Sequence, residues 1–489
     1  MIIKLTLSLL LTLSGCATTP IAPLTNCDPH LPPAQIILDG DLSDWYNQTG
    51  IRADSDEVFI AFDSFDESQA IQAADFTTRI RIDTDADVTT GKRQMYNAQE
   101  QDMMLSQGVD LTILVSPPSK EFGELKGGAQ LKTHTTNSTT SISHSDAGFY
   151  FLPTHNAPRY EARIDRSLIP SLQHDGPISI VIEHLAIGGT ILKTQSFTTT
   201  LPTYKPNPPI NDAIASKPTN GLRIMATNVL FSSPLKNPEP FARVIDAINP
   251  DVILYQEWFK TTTKDVRGWF DENLDDNWTQ SIIDPSGGVA IVTHLPIIEG
   301  GLKIISQPDA RRTRSIAVAV LDAKKPGDTK PLPLIVVSLH LKCCGGAGSS
   351  EDLKRIAQAH KINTIIQELR KKYPNAGIVI GGDYNLVGSR KPLDIIADNL
   401  GIDHQDLTPV PTKVLGTQSM LTWTNAKSPY TPGRLDWILV DDHAWTPINS
   451  WSLDTARLSN QALKDAGLER EDSRATDHLP IVVDLIPAK

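Results

Sequence analysis

The chain has 489 residues, of which 40% are hydrophobic and 21% are charged, so we expect a globular protein of two or three domains rather than a disordered chain. Its formal net charge of −12 is uneven, because residues 1–215 hold 14 basic and 25 acidic side chains and the remainder holds 31 and 32. The acidic first part is therefore a poor binder of nucleic acid, whereas the nearly neutral second part is not excluded as one but has no basic block.

The chain begins with a targeting segment. In MIIKLTLSLLLTLSGC, one lysine precedes an apolar run that is too short for a membrane-spanning helix and is typical of a secretory signal. Its last four residues, LSGC, resemble the bacterial lipobox, which implies cleavage after residue 15 and lipid attachment to Cys16; an ordinary signal with an incidental cysteine is the alternative. Ala17 in place of Asp implies the outer membrane. We therefore expect an outer-membrane lipoprotein of the bacterial cell envelope, facing the periplasm or the medium, with residues 16–33 as a tether.

Three further cysteines are Cys27, Cys343 and Cys344. An odd number in an oxidising compartment leaves at least one of them unpaired. The neighbouring pair in HLKCCGG could form a strained ring or bind a soft metal, but no His or Cys stands at ligand spacing nearby. A small, buried pair is the favoured interpretation.

Residues 34–200 have the pattern of an all-β domain. Short β-branched segments with partial alternation are bounded by polar or glycine-containing stretches, and no long stretch has a helical period. The segments are VFIAFD (58–63), TTRIRIDTD (77–85), VDLTILVS (109–116) and ISIVIEHLAI (178–187). A β-sandwich is the economical prediction.

Several motifs in this region resemble family 9 carbohydrate-binding modules and their relatives. They are ILDGDLSDW (37–45), DSDEVFIAFD (54–63), RIDTDADVTTG (81–91) and YEARIDRSLI (160–169). The resemblance implies a sandwich that binds a glycan, although the same fold family contains domains that bind no sugar. The alternating carboxylates Asp83, Asp85 and Asp87 suit a hard cation such as Ca²⁺, and a solvated acidic turn is the alternative.

Residues 201–219 contain five prolines and few large apolar side chains, which is typical of a linker. The following residues alternate strand-like runs with helices, which predicts an α/β domain over 220–487. The clearest helix spans 349–374, where Ser349 and Asp352 can cap the start and Leu353, Ile356 and Ile362 share one apolar face.

Polar residues recur just beyond the apolar runs of this second domain, where α/β proteins bind their ligands. They are Asn228, Glu257, His340, the pair Asp383 and Asn385 in GGDYN, Asp436, and the pair Asp477 and His478. Each alone is unremarkable, since Asp and Asn favour tight turns and a single His is more often a hydrogen-bonded core residue.

Taken together, the motifs TN, QE, LHLK, GGDYN, RLDWILV and TDHLPI, in this order between residues 227 and 481, resemble the endonuclease/exonuclease/phosphatase superfamily. That group includes deoxyribonuclease I, exonuclease III, neutral sphingomyelinases and inositol polyphosphate 5-phosphatases. The resemblance covers residues 220–487 and implies a four-layer α/β sandwich, with two mixed β-sheets between helices. Six ordered motifs are specific for the superfamily but say little about the substrate.

The resemblance also implies the role of each residue. Glu257 is the main ligand of Mg²⁺ or Mn²⁺, with Asn228 and Asp477 close to the metal. Asp383 positions or deprotonates the attacking water and Asn385 donates to a phosphoryl oxygen. His478 contacts the phosphate and Asp436 orients it, while His340 lies near the leaving group. Phosphoester hydrolysis needs this combination of charge neutralisation, an oriented water and leaving-group assistance.

We therefore expect a monomeric, metal-dependent phosphoesterase, slightly favoured as a nuclease. A phospholipase C-like or sphingomyelinase-like enzyme and a hydrolase of small phosphoesters are the alternatives within that class. An alternative of another class is a glycan-binding surface lipoprotein with an inactive second domain. Such a degenerate member would have lost some of the catalytic residues, and all of them are present.

Overall fold

The computed structural model describes residues 36–96, 102–119, 124–207, 209–274, 278, 280–306, 313–324 and 329–488. The signal segment, Cys16, Cys27 and the tether lie outside these residues, so what the sequence predicts for them stays a prediction. Within the described ranges, no helix is both long and apolar enough to cross a membrane.

The N-terminal domain is built from antiparallel strands. They are β1 (Gly50–Ala53), β2 (Glu57–Asp63), β3 (Phe76–Asp83), β4 (Lys92–Tyr96), β5 (Asp102–Val109), β6 (Leu111–Val115), β7 (Ala129–His134), β8 (Thr139–Ile142), β9 (Tyr150–Leu152), β10 (Arg159–Asp165), β11 (Pro177–Ala186) and β12 (Ile191–Thr200). One sheet has the order β1-β2-β10-β9, the other has the order β12-β11-β3-β6-β7-β8, and β4 pairs with β5.

The two larger sheets share one apolar core. Alternate residues of the central strands enter it, such as Ile60 and Phe62 of β2 and Ile80 and Ile82 of β3, and all four are fully buried. A β-sandwich thus precedes the second domain, as the sequence predicts.

The opening motif ILDGDLSDW folds back onto β10. Its Trp45 is fully buried and donates from Nε1 to Glu161 Oε2 at 3.0 Å. The backbone N–H groups of Asp39 and Gly40 both donate to Glu161 Oε1 at 2.6 Å. Burial outweighs these donors and raises the pKa of Glu161 to about 8.

The C-terminal domain contains strands β13 (Leu222–Asn228), β14 (Val252–Gln256), β15 (Gln280–Ile283), β16 (Ala290–Thr293), β17 (Ile297–Ile304), β18 (Ser315–Asp322), β19 (Pro333–His340), β20 (Gly377–Asp383), β21 (Thr408–Pro409), β22 (Asp436–Val440), β23 (Trp445–Ser452) and β24 (Ile481–Pro487). Its helices are α1 (Pro238–Ile248), α2 (Thr263–Asn273), α3 (Ser350–Lys372), α4 (Lys391–Ala397) and α5 (Asn460–Ala466).

These elements form four layers. The two sheets have the orders β15-β16-β14-β13-β24-β23 and β17-β18-β19-β20-β22-β21. Each is mixed, because β13 runs parallel to β14 and β19 runs parallel to β20 while their other neighbours are antiparallel. Side chains of both sheets form a central core, and two outer cores contain α1, α2 and α5 on one side and α3 and α4 on the other. The predicted four-layer α/β fold is confirmed.

Helix α3 differs from its prediction in its first turns. Ser349 caps it as expected, because its hydroxyl accepts from Asp352 N at 3.2 Å. Leu353, however, is 59% exposed, so its predicted place on the buried face is wrong. The buried face begins with the polar residues Asp352, Arg355 and Gln358. These hold a neighbouring loop, and their polarity conceals the true face from an analysis of apolar spacing.

The two domains contact each other directly. Tyr150 Oη lies 2.6 Å from Ser419 Oγ, and the N–H of Ala129 donates to the carbonyl of Pro429 at 2.7 Å. An apolar cluster of Leu38, Tyr150 and Leu152 packs against Leu421. The proline-rich segment between the domains also has partners on both sides: Lys205 N donates to Ser55 O at 2.9 Å, and Asp212 Oδ2 accepts from Ser459 N at 2.7 Å.

The buried carboxyl of Glu161 predicts a pH dependence of stability. Its pKa in the folded protein, about 8, lies above the ordinary 4.5, so the stabilisation is complete below pH 4.5 and is lost as pH rises toward 8. We expect Glu161→Gln to remove this part, so that unfolding midpoints in urea, followed by tryptophan fluorescence, fall less between pH 5 and pH 8 than those of the wild type. Parallel pH profiles for the two proteins would contradict the assignment.

Candidate active site

Strand ends of the C-terminal domain bring the predicted polar residues together. His340 pairs with Asp383 across β19 and β20, and Asp383 pairs with Asp436 across β20 and β22. These three residues therefore form one row across a sheet. In the facing sheet, Asn228 ends β13 and Glu257 directly follows its parallel neighbour β14. The convergence agrees with the general position of ligand sites at strand ends.

The carboxylate of Asp383 is the centre of the site and is 2% exposed. Its Oδ2 lies 3.2 Å from Asn228 Nδ2, 3.5 Å from His340 Nε2 and 3.8 Å from His478 Nε2. Its Oδ1 accepts the backbone N–H of Asn385 at 2.9 Å. One buried acid thus connects residues from both sheets.

Asn385 has a φ of 50°, a left-handed conformation that asparagine tolerates better than most residues. Its side-chain nitrogen donates to the carbonyl of Leu341 at 3.3 Å, beside His340. The amide is therefore held against the same strand end as the central carboxylate.

His478 and Asp436 form a buried pair. His478 Nδ1 lies 2.8 Å from Asp436 Oδ2, and the two side chains are 7% and 1% exposed. Burial disfavours the charged ring, but the carboxylates of Asp436 and Asp383 outweigh it and raise the pKa of His478 to about 10. The ring is therefore protonated near neutral pH, and Nδ1 donates to Asp436.

Desolvation also dominates at Asp383. Burial raises the pKa of this carboxyl to about 7, while His478 opposes the shift and Asp436 adds to it. A carboxyl that titrates near neutral pH, 3.8 Å from an imidazolium, is suited to accept and return a proton.

Glu257 is held by an unusual turn. Leu230, Phe231 and Ser232 have φ values of 42°, 52° and 59°, and Glu257 itself has a φ of 68°. The N–H of Phe231 donates to Glu257 Oε2 at 3.0 Å, and Asn228 Nδ2 lies 3.2 Å from Oε1. Left-handed residues other than glycine are costly and cluster at functional sites. The turn leaves the Phe231 side chain 60% exposed beside this carboxylate.

Glu257 and Asp477, two of the predicted metal ligands, are carboxylates of the kind that bind a hard divalent cation. Asp477 accepts from Trp423 Nε1 at 3.1 Å through Oδ2, whereas its Oδ1 is buried and has no hydrogen-bond partner among the described residues. Carboxylate oxygens are the ligand type that Mg²⁺ and Mn²⁺ take, whereas Asn228 turns its amide nitrogen toward Glu257 and its Oδ1 accepts the N–H of Leu230 at 3.0 Å. A buried oxygen without a donor is what such an ion would satisfy.

A second convergence involves Asp383, Asp436 and His478, each of which offers a ligand atom within 4.8 Å of the others. A metal there would need a ring nitrogen of His478 without a proton, whereas the carboxylates of Asp436 and Asp383 raise the pKa of this ring to about 10 and so favour the doubly protonated form. We therefore interpret these three as a proton-handling group next to the carboxylates that suit a metal.

The loop after His340 is fixed by helix α3. Arg355 donates to the carbonyls of Lys342 and Cys344 at 2.9 and 2.6 Å, and Gln358 Oε1 accepts from Lys342 N at 3.0 Å. Cys344 is exposed and Cys343 is half-buried, so the pair is not the buried pair favoured by the sequence interpretation. Their sulfur atoms lie 2.9 Å apart.

Two threonines support the site and escape the sequence analysis. Thr422 Oγ1 accepts the N–H groups of Leu435 and Asp436, both at 2.9 Å. Thr476 Oγ1 donates to the carbonyl of Asn228 at 2.9 Å. Thr476 is the first residue of the TDHLPI motif, so the motif could have identified it as a site residue. Thr422 belongs to none of the motifs, and no local sequence pattern marks it.

In the sandwich, Asp83 and Asp85 lie together with Asp110, and their ligand atoms are within 4.8 Å of one another. The third predicted residue, Asp87, is not part of this group; its Oδ1 accepts from Thr89 N and Oγ1 at 2.8 and 2.7 Å. Asp83 is 2% exposed, and its Oδ1 has no hydrogen-bond partner in the described ranges. The group is a candidate cation site.

Similarity to known proteins extends over about half of the chain. None of the curated proteins matches it. Three solved structures illustrate the similarity: an endonuclease/exonuclease/phosphatase from Bacteroides vulgatus (13% identity, 55% of this chain and 100% of the other, TM-score 0.40), sphingomyelinase C from Streptomyces griseocarneus (18%, 54% and 99%, 0.35) and the human Nocturnin catalytic domain (17%, 56% and 97%, 0.37).

The family description Endonuclease/Exonuclease/phosphatase matches residues 225–478, just over half of the chain. This range begins in β13 and ends at His478, so it contains every predicted active-site residue from Asn228 to His478. The chain therefore belongs to the endonuclease/exonuclease/phosphatase family, and the protein is a phosphoester hydrolase.

Proposed function

We propose that the protein is a Mg²⁺-dependent phosphodiesterase that cleaves its substrate by in-line attack of water, with nucleic acid as the first substrate to test. The observation that supports the proposal is the continuous chain of contacts Glu257–Asn228–Asp383–His478–Asp436, along which a carboxylate of the type that binds cations lies close to a proton-transfer group. Mn²⁺ satisfies the same oxygen ligands and is the alternative cofactor.

The residues have separate roles in this proposal. Asp383 orients the attacking water and accepts its proton, since the carboxyl titrates near neutral pH. The protonated His478, held by Asp436, stabilises charge on the phosphoryl oxygens. Asn385 donates to the same group, and His340 assists the leaving group from the other side of Asp383.

Glu257, Asn228 and Asp477 would hold the metal ion. The ion would supply neutralisation of phosphoryl charge, which side chains alone provide less well. The backbone N–H of Phe231 would orient the Glu257 carboxylate for the metal, because it donates to one of its two oxygens.

A lipid phosphodiester is the second candidate, and one observation favours it. Phe231, whose N–H donates to Glu257, is 60% exposed, and Leu235, four residues further along the chain, is 47% exposed. The ring centroids of Phe231 and Phe259 are 5.8 Å apart. An exposed apolar group next to the reacting centre suits a substrate presented at a lipid surface. Small phosphoesters remain the third class within the proposal.

The proposal is tested by activity assays on residues 17–489, which lack the signal segment and Cys16. We expect nicking of supercoiled plasmid with Mg²⁺, none with a chelator, and a loss of at least about a hundredfold in Asp383→Ala, because the proton acceptor is removed. Phosphodiester-headgroup lipid vesicles and p-nitrophenyl phosphate in parallel assays distinguish the three substrate classes.

Asp394→Ala is the matched control for Asp383→Ala, because Asp394 is an exposed acid whose ion pair with Arg390 lies outside the site. Full activity of Asp383→Ala would refute its assigned role. A folded wild type that hydrolyses none of the three substrates would refute the proposed function.

We further propose that Asp83, Asp85 and Asp110 bind Ca²⁺ as a structural ion of the sandwich. Three converging carboxylates repel one another and provide the oxygen ligands that Ca²⁺ takes, and Asp83 Oδ1 is buried without a donor in the described ranges. A glycan-binding role of the same domain follows from the sequence resemblance alone and is part of the proposal.

We expect Ca²⁺ at about 100 times its dissociation constant to raise the thermal unfolding midpoint by about 5 °C, because an ion that binds only the folded state stabilises it. Asp110→Asn should abolish this shift, whereas Asp87→Asn should keep it. A shift that persists in Asp110→Asn and is lost in Asp87→Asn would place the ion on the alternating loop residues instead.

Finally, we propose that a lipid on Cys16 anchors the enzyme in the bacterial outer membrane, on the basis of the LSGC motif and Ala17. Labelling of cells with a tritiated fatty acid should mark the wild type and not Cys16→Ser, and the variant should move from the membrane to the soluble fraction. Equal fractionation of the two proteins would remove the anchor from the proposal.

A further inference from the structure

One loop of the sandwich reaches the segments that carry two active-site residues. Thr154 lies between β9 and β10 and is 8% exposed. Its hydroxyl has one proton, and the carbonyl oxygens of Leu386 and Arg434 lie 2.9 and 3.2 Å from Oγ1, so the two acceptors share this donor. Leu386 directly follows Asn385, and Arg434 lies two residues before Asp436. A single side chain of one domain thus joins two segments of the other.

Neighbouring contacts make this junction specific. The N–H of Asn156 donates to the carbonyl of Gly388 at 2.8 Å, so the segment after Asn385 is held at a second point. On the other segment, a Cβ atom added to Gly433 would lie 2.2 Å from Thr154 Cγ2 and 3.6 Å from Thr154 Cβ. The absence of a side chain at Gly433 is what lets the methyl group of Thr154 approach.

Asp436 is consequently supported from two directions. Within its own domain, Thr422 Oγ1 accepts the N–H groups of Leu435 and Asp436. From the sandwich, Thr154 holds the carbonyl of Arg434, just upstream. The carboxylate that orients His478 is therefore placed by both domains.

We propose that Thr154 is a positioning residue for Asn385 and Asp436, so that the sandwich is a component of the catalytic unit. A buried carbonyl that loses its donor relaxes toward another one, and shifts of about 1 Å at reacting groups reduce rates strongly. The kinetic part of this inference rests on the proposed phosphodiesterase function, whereas its structural part does not.

Thr154→Val keeps the shape of the side chain and removes the donor. We expect kcat to fall about tenfold or more with KM changed less than twofold, because the change affects orientation of catalytic groups rather than binding. Thr154→Ser keeps the hydroxyl and should restore most of kcat. Ser419→Ala removes another hydrogen bond of the same interface, to Tyr150, and should leave kcat unchanged.

A pair of variants tests the same contact by a different route. Gly433→Ala introduces a methyl group that clashes with Thr154 Cγ2, and we expect it to lower kcat as Thr154→Val does. Serine lacks that methyl group but keeps the hydroxyl, so Gly433→Ala combined with Thr154→Ser should recover activity. This rescue would not occur if Gly433→Ala acted through general destabilisation, and it remains decisive if Thr154→Val fails to fold.

The downfield proton resonance of the His478 ring, bonded to Asp436, gives a readout that needs no substrate. We expect it to shift or broaden in Thr154→Val and to be unchanged in Thr154→Ser and Ser419→Ala. A wild type without phosphoesterase activity would overturn the proposed function, whereas the His478 resonance would still test the positioning role of Thr154. Unchanged kcat together with an unchanged resonance in Thr154→Val, or failure of the double variant to recover, would overturn the positioning role.

Discussion

The active site depends on the register of β20 between β19 and β22. Because His340, Asp383 and Asp436 are paired partners in adjacent strands, their side chains emerge from one row of the sheet. A shift of one residue in either pairing would turn Asp383 to the opposite face, away from Asn228 and His478. The rigid central strands therefore fix the distances around the central carboxylate, and the loops contribute the rest.

Electrostatics follows from this placement. The row puts the two acids Asp383 and Asp436 in a buried space beside the imidazole of His478. Burial of two negative charges is unfavourable unless a cation compensates them. His478, held by Asp436, becomes a cation, and Asp383 titrates near neutral pH. Glu257 and Asp477 lie on the more accessible side, where a divalent cation can balance them. The division between proton transfer and metal binding is thus a consequence of burial.

Much of the fold could be predicted from the sequence, and the exceptions have a common cause. Strands buried on both faces, such as β14 and β20, appear as continuous apolar runs, and α3 has a cap and a clear end. Edge strands such as β17 and β12 alternate between half-buried and exposed residues and carry little apolar signal. The start of α3 is predicted correctly, but Leu353 is wrongly expected on its buried face, because polar residues occupy that face in the first turns.

The site residues were predicted from motif order and resemblance, whereas their supports were not. Thr422 and Thr154 act through backbone carbonyls and N–H groups that are distant in sequence, and no local pattern marks such contacts. The acidic group of the sandwich shows the same limit: spacing favours Asp87, but Asp110 precedes β6, whose pairing with β3 brings it beside Asp83.

The direct contact between the domains has a consequence for dissecting the chain. The proline-rich segment is the obvious place to divide the chain into two domains. Removal of the N-terminal domain, however, would expose Leu421 and leave the carbonyls of Leu386 and Arg434 to water. The family match over residues 225–478 therefore does not define a unit that folds independently of the sandwich. A homologous enzyme that lacks the sandwich must close this face by other means, so exchange of N-terminal domains between relatives requires exchange of the segments around Leu386 and Gly433 as well.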